Sequence, residues 1–142
     1  MNPSPRTRRR SGPIATQGIV ALAIVLGSAA AVAATPAELL DGYRSAAGAA
    51  LAPARGQRLF TTPQGREWSC ASCHGAVPTQ AGRHAATGRP IAALAPAFNA
   101  ARFTDSAKVE KWFRRNCNDV IGRECSAAEK ADLLSWLLTL KP

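Results

Sequence analysis

Apolar positions recur with helical spacing along the chain, and the period-two alternation of a half-buried strand is absent. The clearest stripe is Val109, Trp112, Phe113 and Asn116, at i, i+3, i+4 and i+7, behind Thr104 or Asp105 as a cap. A second helix opens on the capping box Ser126-Ala127-Ala128-Glu129 and carries Leu133, Leu134, Trp136, Leu137, Leu138 and Leu140. Thr35-Pro36-Ala37-Glu38 is another helix start, with Thr35 as N-cap, Pro36 at the first position and Glu38 completing the box. After an interruption at Pro53, "ARGQRLF" offers a short helical segment with Gly56, Leu59 and Phe60. Thr61 to Gly65 reads as loop. Residues 75–102, rich in Gly, Pro and Ala, read as a loop wrapped around something rather than packed against itself. The expected fold class is all-α, with about four helices.

The longest apolar run lies outside this pattern. Met1 to Arg10 holds four arginines and no acid, and Gly18 to Ala34 is uncharged and closes on small residues, with Ala31-Val32-Ala33 matching an A-x-A cleavage pattern. Residues 1–33 are therefore expected to be a secretory signal peptide and 34–142 the functional domain. A retained membrane anchor is the competing interpretation, and Arg9-Arg10 leaves twin-arginine export open. Without the leader the chain carries 14 basic and nine acidic residues, a net charge of +5 rather than +9. That balance, in an exported protein, argues against nucleic acid as a partner. About 109 residues build only a small core, which a bound cofactor would help to fill.

Within "WSCASCHG", Cys70-Ala71-Ser72-Cys73-His74 is the C-x-x-C-H pattern of c-type haem attachment. Two thiols on one turn can each add to a vinyl group of the same porphyrin, and the adjoining His74 supplies the proximal nitrogen. A thioredoxin-like motif would want a βαβ context. A zinc site built from Cys70, Cys73, Cys117 and Cys125 would want a tighter second pair. With Cys70 and Cys73 in thioethers, Cys117 and Cys125 remain in an oxidising compartment, where a disulfide is the simplest outcome and two free thiols the alternative.

Most small electron-transfer cytochromes place a Met sulfur on the second axial side. The chain's one methionine is Met1, inside the leader. Asn116, His84, a lysine, or no residue at all are the remaining possibilities. Asn116 continues an apolar face, where an amide needs a partner such as an iron, but it could equally bond a helix carbonyl or cap the helix end. His84 lies in a Gly-rich loop, and Lys108 and Lys111 flank the stripe towards solvent. Trp112 and Phe113 are expected to line the distal wall or pack the core.

The run from "WSCASCHG" through "GRHAATGRPI" and "RFTDSAKVEKWFRRNC" to "GRECSAAEKADLLSWL" resembles a small family of class I cytochromes c that includes sphaeroides haem protein and the cytochromes c″. The resemblance spans about 85 residues, 58–142, although Thr61–Ser69 is longer than in typical class I members. It implies a small class I fold with one covalent haem c. It also implies a distal ligand immediately before the first Cys of a short disulfide, His in one branch and Asn in the other, which matches Asn116 before Cys117 and Cys125. Redox-linked release of that ligand and binding of O₂, NO or CO follow from the same resemblance. So do a dihaem cytochrome c and a membrane cytochrome b as partners, and a crossing of first and last helices at Gly56, Phe60 and Trp136. The loop "TGRPI" resembles the one whose carbonyl receives the proximal histidine's N–H, which singles out Pro90. Periplasmic electron carrier, gas sensor, and NO-detoxifying or peroxidase enzyme are the competing functions. Only His84 offers the last an acid–base group.

Overall fold

A computed structural model describes Met1 and residues 33–142. The expected leader and its possible role as an anchor lie outside the described residues. Among those described, no helix is long and apolar enough to cross a membrane.

Helix α1 (Pro36–Ala47) begins as its sequence demands: the Glu38 N–H donates to Thr35 Oγ1 at 3.2 Å, and the Thr35 N–H donates to the Glu38 carboxylate at 2.7 Å. Helix α2 (Pro53–Thr61) starts on the proline that interrupts the pattern. A single turn, α3 (Ala71–His74), precedes a short hairpin, β1 (Gly82–Arg83) with β2 (Pro90–Ile91), and a 3₁₀ turn at Pro96–Phe98. Helix α4 (Ser106–Val120) is capped by Asp105, whose carboxylate accepts the Lys108 N–H at 2.9 Å. Helix α5 (Ala127–Thr139) opens on the Ser126/Glu129 box.

The core forms where α1 and α2 pack on α5. Residues 131–137 of α5 are all buried, and Phe60, Phe103, Leu133, Leu134, Trp136 and Leu137 make one apolar cluster. The Phe60 and Trp136 rings sit 5.0 Å apart. Gly56 lets the two backbones meet, since a Cβ there would collide with the Asp132 carbonyl. The crossing expected from Gly56, Phe60 and Trp136 is thus present. Two polar side chains on the buried face of α5 are satisfied: Asp132 accepts from Arg55 Nε at 2.6 Å and the Ala52 N–H at 2.7 Å, and Ser135 donates to the Asp132 carbonyl.

The all-α class holds, with four long helices, one single turn and a two-strand ladder among the described residues. The structure corrects the expectation for residues 75–102. That segment does pack against itself: the N–H groups of Leu94 and Ala95 both donate to the buried Pro78 carbonyl, and Gly82 pairs with Ile91 and Arg83 with Pro90. A ladder two residues long leaves no alternation to detect.

Candidate functional site

The single turn α3 aims three donors from one place. Cys70 stands at its N-cap with helical backbone angles, and the N–H groups of both Cys73 and His74 donate to the Cys70 carbonyl. Ser69, buried, donates its N–H to Ser72 Oγ at 3.0 Å and fixes the approach to the turn. Gly75, at φ 77°, carries the chain away. Cys70 and Cys73 are unbonded to any other cysteine. Burial, with the neighbouring Cys73 thiol adding to it, pushes the Cys70 thiol up to about 11, so it stays protonated. Cys73 Sγ accepts the Ala85 N–H at 3.2 Å, and Gly82 lies so close that a Cβ would strike the Cys73 carbonyl. The hairpin therefore backs the second thiol.

His74 is held down to about 4, first by burial and then by the facing Arg102 guanidinium. A neutral imidazole with a lone pair available is the form that binds a metal. Its ring packs 6.2 Å from Phe60, which joins the donor turn to the α2–α5 core. Arg102, in turn, donates to the carbonyls of Ala92 and Ala93 at 2.8 and 2.9 Å and closes the loop in front of His74. Pro90, the residue expected to receive the His74 N–H, stands in the second strand of the hairpin, in register with Arg83.

Opposite in character is α4. Val109, Phe113 and Asn116 are half-buried along it and Cys117 is buried. The helix runs one turn beyond Asn116, to Val120, so Asn116 is not a C-cap; Ile121 is. None of the side-chain hydrogen bonds among the described residues involves the Asn116 amide, whereas Asn118 bonds back to the Arg114 carbonyl at 2.7 Å. Phe113 packs edge-on to Tyr43 at 5.8 Å and near Phe103 at 6.5 Å. Phe103 itself adopts φ 59°, a left-handed conformation that costs on the order of 1 kcal/mol and turns the chain into α4. Of the two roles expected of Trp112, core packing is not what the structure shows: the ring is 43 % exposed, with the Arg115 guanidinium 5.6 Å over it.

Cys117 and Cys125 are joined as a disulfide, with Cα atoms 5.7 Å apart. This removes the four-cysteine zinc alternative, and no cluster of three or more metal-ligating groups occurs among the described residues. Lys108 and Lys111 are exposed. His84 sits on the hairpin turn, where its Nδ1 accepts the Thr87 N–H at 3.3 Å, beside Cys73 rather than on α4.

A haem fits this donor set. Two neighbouring thiols and a neutral imidazole project from one turn, and half-buried Ala71, Leu94, Val109 and Phe113 supply apolar walls against the core. Sequence reasoning did not place Arg102 or Phe60 beside His74, and it missed a Tyr43–Glu110–Lys130 cluster. Their partners are remote in sequence, so no local spacing reports them.

Known proteins resemble the chain closely. Residues 46–137 match a family described as a domain of unknown function, DUF1924. The chain is 50 % identical over 126 residues to cytochrome c-type protein SHP of Cereibacter sphaeroides, covering 86 % of this chain and 97 % of that protein. It is 49 % identical over 82 residues to cytochrome c″ of Methylophilus methylotrophus, covering 58 % and 57 %. Oxidised SHP, described as an oxygen-binding cytochrome c, superposes with a TM-score of 0.71 at 51 % identity, over 76 % of this chain and 99 % of that one. Oxidised cytochrome c″ superposes with a TM-score of 0.68 at 38 % identity, over 75 % and 95 %.

Proposed function

The chain belongs to the family of class I c-type cytochromes that includes SHP and cytochrome c″, and from that premise we propose a periplasmic monohaem electron carrier whose distal ligand, Asn116, detaches on reduction. Its cofactor is covalently attached haem c. In this reading residues 1–33 are the export signal and 34–142 the haem domain. When bound, the haem supplies an iron that exchanges one electron and, once ferrous, favours π-accepting diatomic gases over a hard amide oxygen.

The chain's own residues divide the work. Cys70 and Cys73 would hold the haem through thioethers, and His74, kept neutral by burial and Arg102, would supply a nitrogen to its iron. Asn116 offers an amide oxygen from the stripe of α4. Cys117, bonded to Cys125, limits how far that residue travels after release. Phe113 keeps water from the ligand's side, and Trp112 covers the rim. The observation that carries the reading is the Asn116 amide itself: half-buried on an apolar face, it takes no backbone partner, although Asn118 shows that one is within reach of this helix.

Gas binding is the second reading, favoured by the oxygen binding of SHP. It uses the same vacated position, so carrier and O₂, NO or CO binder are compatible. The basic residues support a carrier. All of the net +5 of residues 34–142 arises between Arg83 and Arg115, with seven basic and two acidic residues. Such a region steers an acidic redox partner, for which a dihaem cytochrome c or a membrane cytochrome b is our candidate. His84, tied into its own turn beside Cys73, is poorly placed for peroxidase chemistry.

Absorption spectra of the holoprotein, ferric and ferrous, with and without CO, test the reading. A five-coordinate high-spin ferrous haem that shifts at once with CO is expected. A low-spin ferrous haem indifferent to CO would overturn it.

A further inference from the structure

Three helices meet at one carboxylate. Glu110 of α4 accepts the Tyr43 hydroxyl of α1 at 2.6 Å on one oxygen and the Lys130 ammonium of α5 at 2.7 Å on the other. The Lys130 side chain is 15 % exposed, and its ammonium stands 5.6 Å over the Tyr43 ring and 5.7 Å over Phe113. Burial works to raise the Glu110 pKa, but the bonds from Lys130 and Tyr43 outweigh it and hold the carboxyl below its usual range. Burial and then Glu110 drive the Tyr43 phenol well above its usual range. Phenol and carboxylate thus keep one protonation arrangement through neutral pH.

The cluster lies six residues before Asn116. Immediately after Asn116, Cys117 is bonded to Cys125, and the loop between them carries Gly122, against whose backbone the Arg66 guanidinium packs. The stretch from Glu110 to Cys117 is therefore pinned at both ends, once by charge-assisted hydrogen bonds and once covalently. An amide is a weak ligand, and its hold on iron is lost readily if the helix presenting it must also be ordered. Prior fixation removes that cost.

We propose that Tyr43, Glu110 and Lys130 are positioning residues for Asn116. They keep α4 stationary, so that the distal amide engages and leaves by side-chain rotation alone. The proposal rests on Asn116 being the ferric distal ligand.

Cyanide association with the ferric holoprotein reports how readily Asn116 vacates its place. Lys130→Met and Tyr43→Phe are expected to accelerate it by about five- to tenfold, the scale of one typical net hydrogen bond at a partly exposed carboxylate. Lys130→Arg should restore the wild-type rate, and Lys130→Met added to Asn116→Ala should give no further acceleration. Arg55→Met, which breaks the Arg55–Asp132 pair at the α2–α5 crossing, should lower the melting temperature without changing the rate. If Lys130→Met fails to fold, Tyr43→Phe, which removes one hydroxyl, decides alone. Lowered melting temperature with unchanged cyanide association in these variants, while Asn116→Ala accelerates it, overturns the positioning role and leaves the ligand reading intact. No acceleration in Asn116→Ala overturns both.

Discussion

Helices α5 and α4 are of similar length, 13 and 15 residues, but they meet the rest of the molecule in opposite ways. α5 buries an unbroken run from Ala131 to Leu137, including a charged and a hydroxyl side chain that are fully satisfied. α4 buries only Cys117 fully, rests Val109 and Phe113 half-buried on the edge of the core, and is held besides by point attachments: the Asp105 cap, the Glu110 cluster and the disulfide. Continuous burial suits the side that anchors His74 through Phe60, where nothing should move in either redox state. Point attachment suits the side that presents Asn116, where a side chain is to leave and return without unpacking a core. In the function proposed above, the difference separates a permanent ligand, His74, from a detachable one, Asn116.

The largest test of that contrast is Phe60→Ala. It removes the ring between Trp136 and His74 and should cost about 3–5 kcal/mol in denaturant unfolding of the holoprotein, with His74 ligation disturbed as well. A loss like that of a surface truncation would mean the proximal side is not the rigid one. Replacing Cys117 and Cys125 together by Ala should cost less, roughly 2–3 kcal/mol by chain entropy. The haem should stay attached at Cys70 and Cys73, and a mutant that lost its haem would contradict the division of roles.

A smaller effect is expected at the start of α5. Glu129 is held down to about 2, chiefly by hydrogen bonds from Arg123 and with help from the Ser126 N–H, against burial. A depressed carboxylate contributes stability above its unfolded value near 4.5, and that contribution disappears as pH falls towards 2. Glu129→Gln should therefore flatten the acid-induced loss of stability between those pH values, while costing about 0.5–1 kcal/mol at neutral pH. An unchanged acid profile would show that the box is not what acid breaks. The least effect is expected from Trp112→Ala, within about 0.5 kcal/mol of wild type, since the ring is exposed under Arg115. A cost several times larger would place Trp112 in the core after all.

The same contrast explains what the sequence disclosed. Helix starts at Thr35 and Ser126 and the C-x-x-C-H turn rest on local spacing or on residue types with one strong use, and they are where they were expected. Pro53, read as an interruption, instead opens α2, and the α2–α5 crossing at Gly56 followed from the family resemblance rather than from spacing. The α4 stripe was legible too, but its end was not: no Gly or Pro follows Asn116 directly, and the helix runs on to Val120. Trp112 could be assigned either to the distal wall or to the core because a place on the stripe does not fix the depth of a ring at its edge. Tyr43, Glu110 and Lys130 were invisible for a simpler reason: Tyr43 and Glu110 lie 67 residues apart, and only folding brings them together.

One comparison addresses the central claim directly: ligand association in wild type and Asn116→Ala, measured in both redox states. If Asn116 is bound in ferric protein and released in ferrous, cyanide should enter the ferric variant at least about tenfold faster than wild type, a difference of roughly 1.4 kcal/mol, while CO enters the two ferrous proteins at nearly equal rates. Equal cyanide rates would contradict ligation by Asn116, and a faster CO reaction in the variant would contradict its release on reduction.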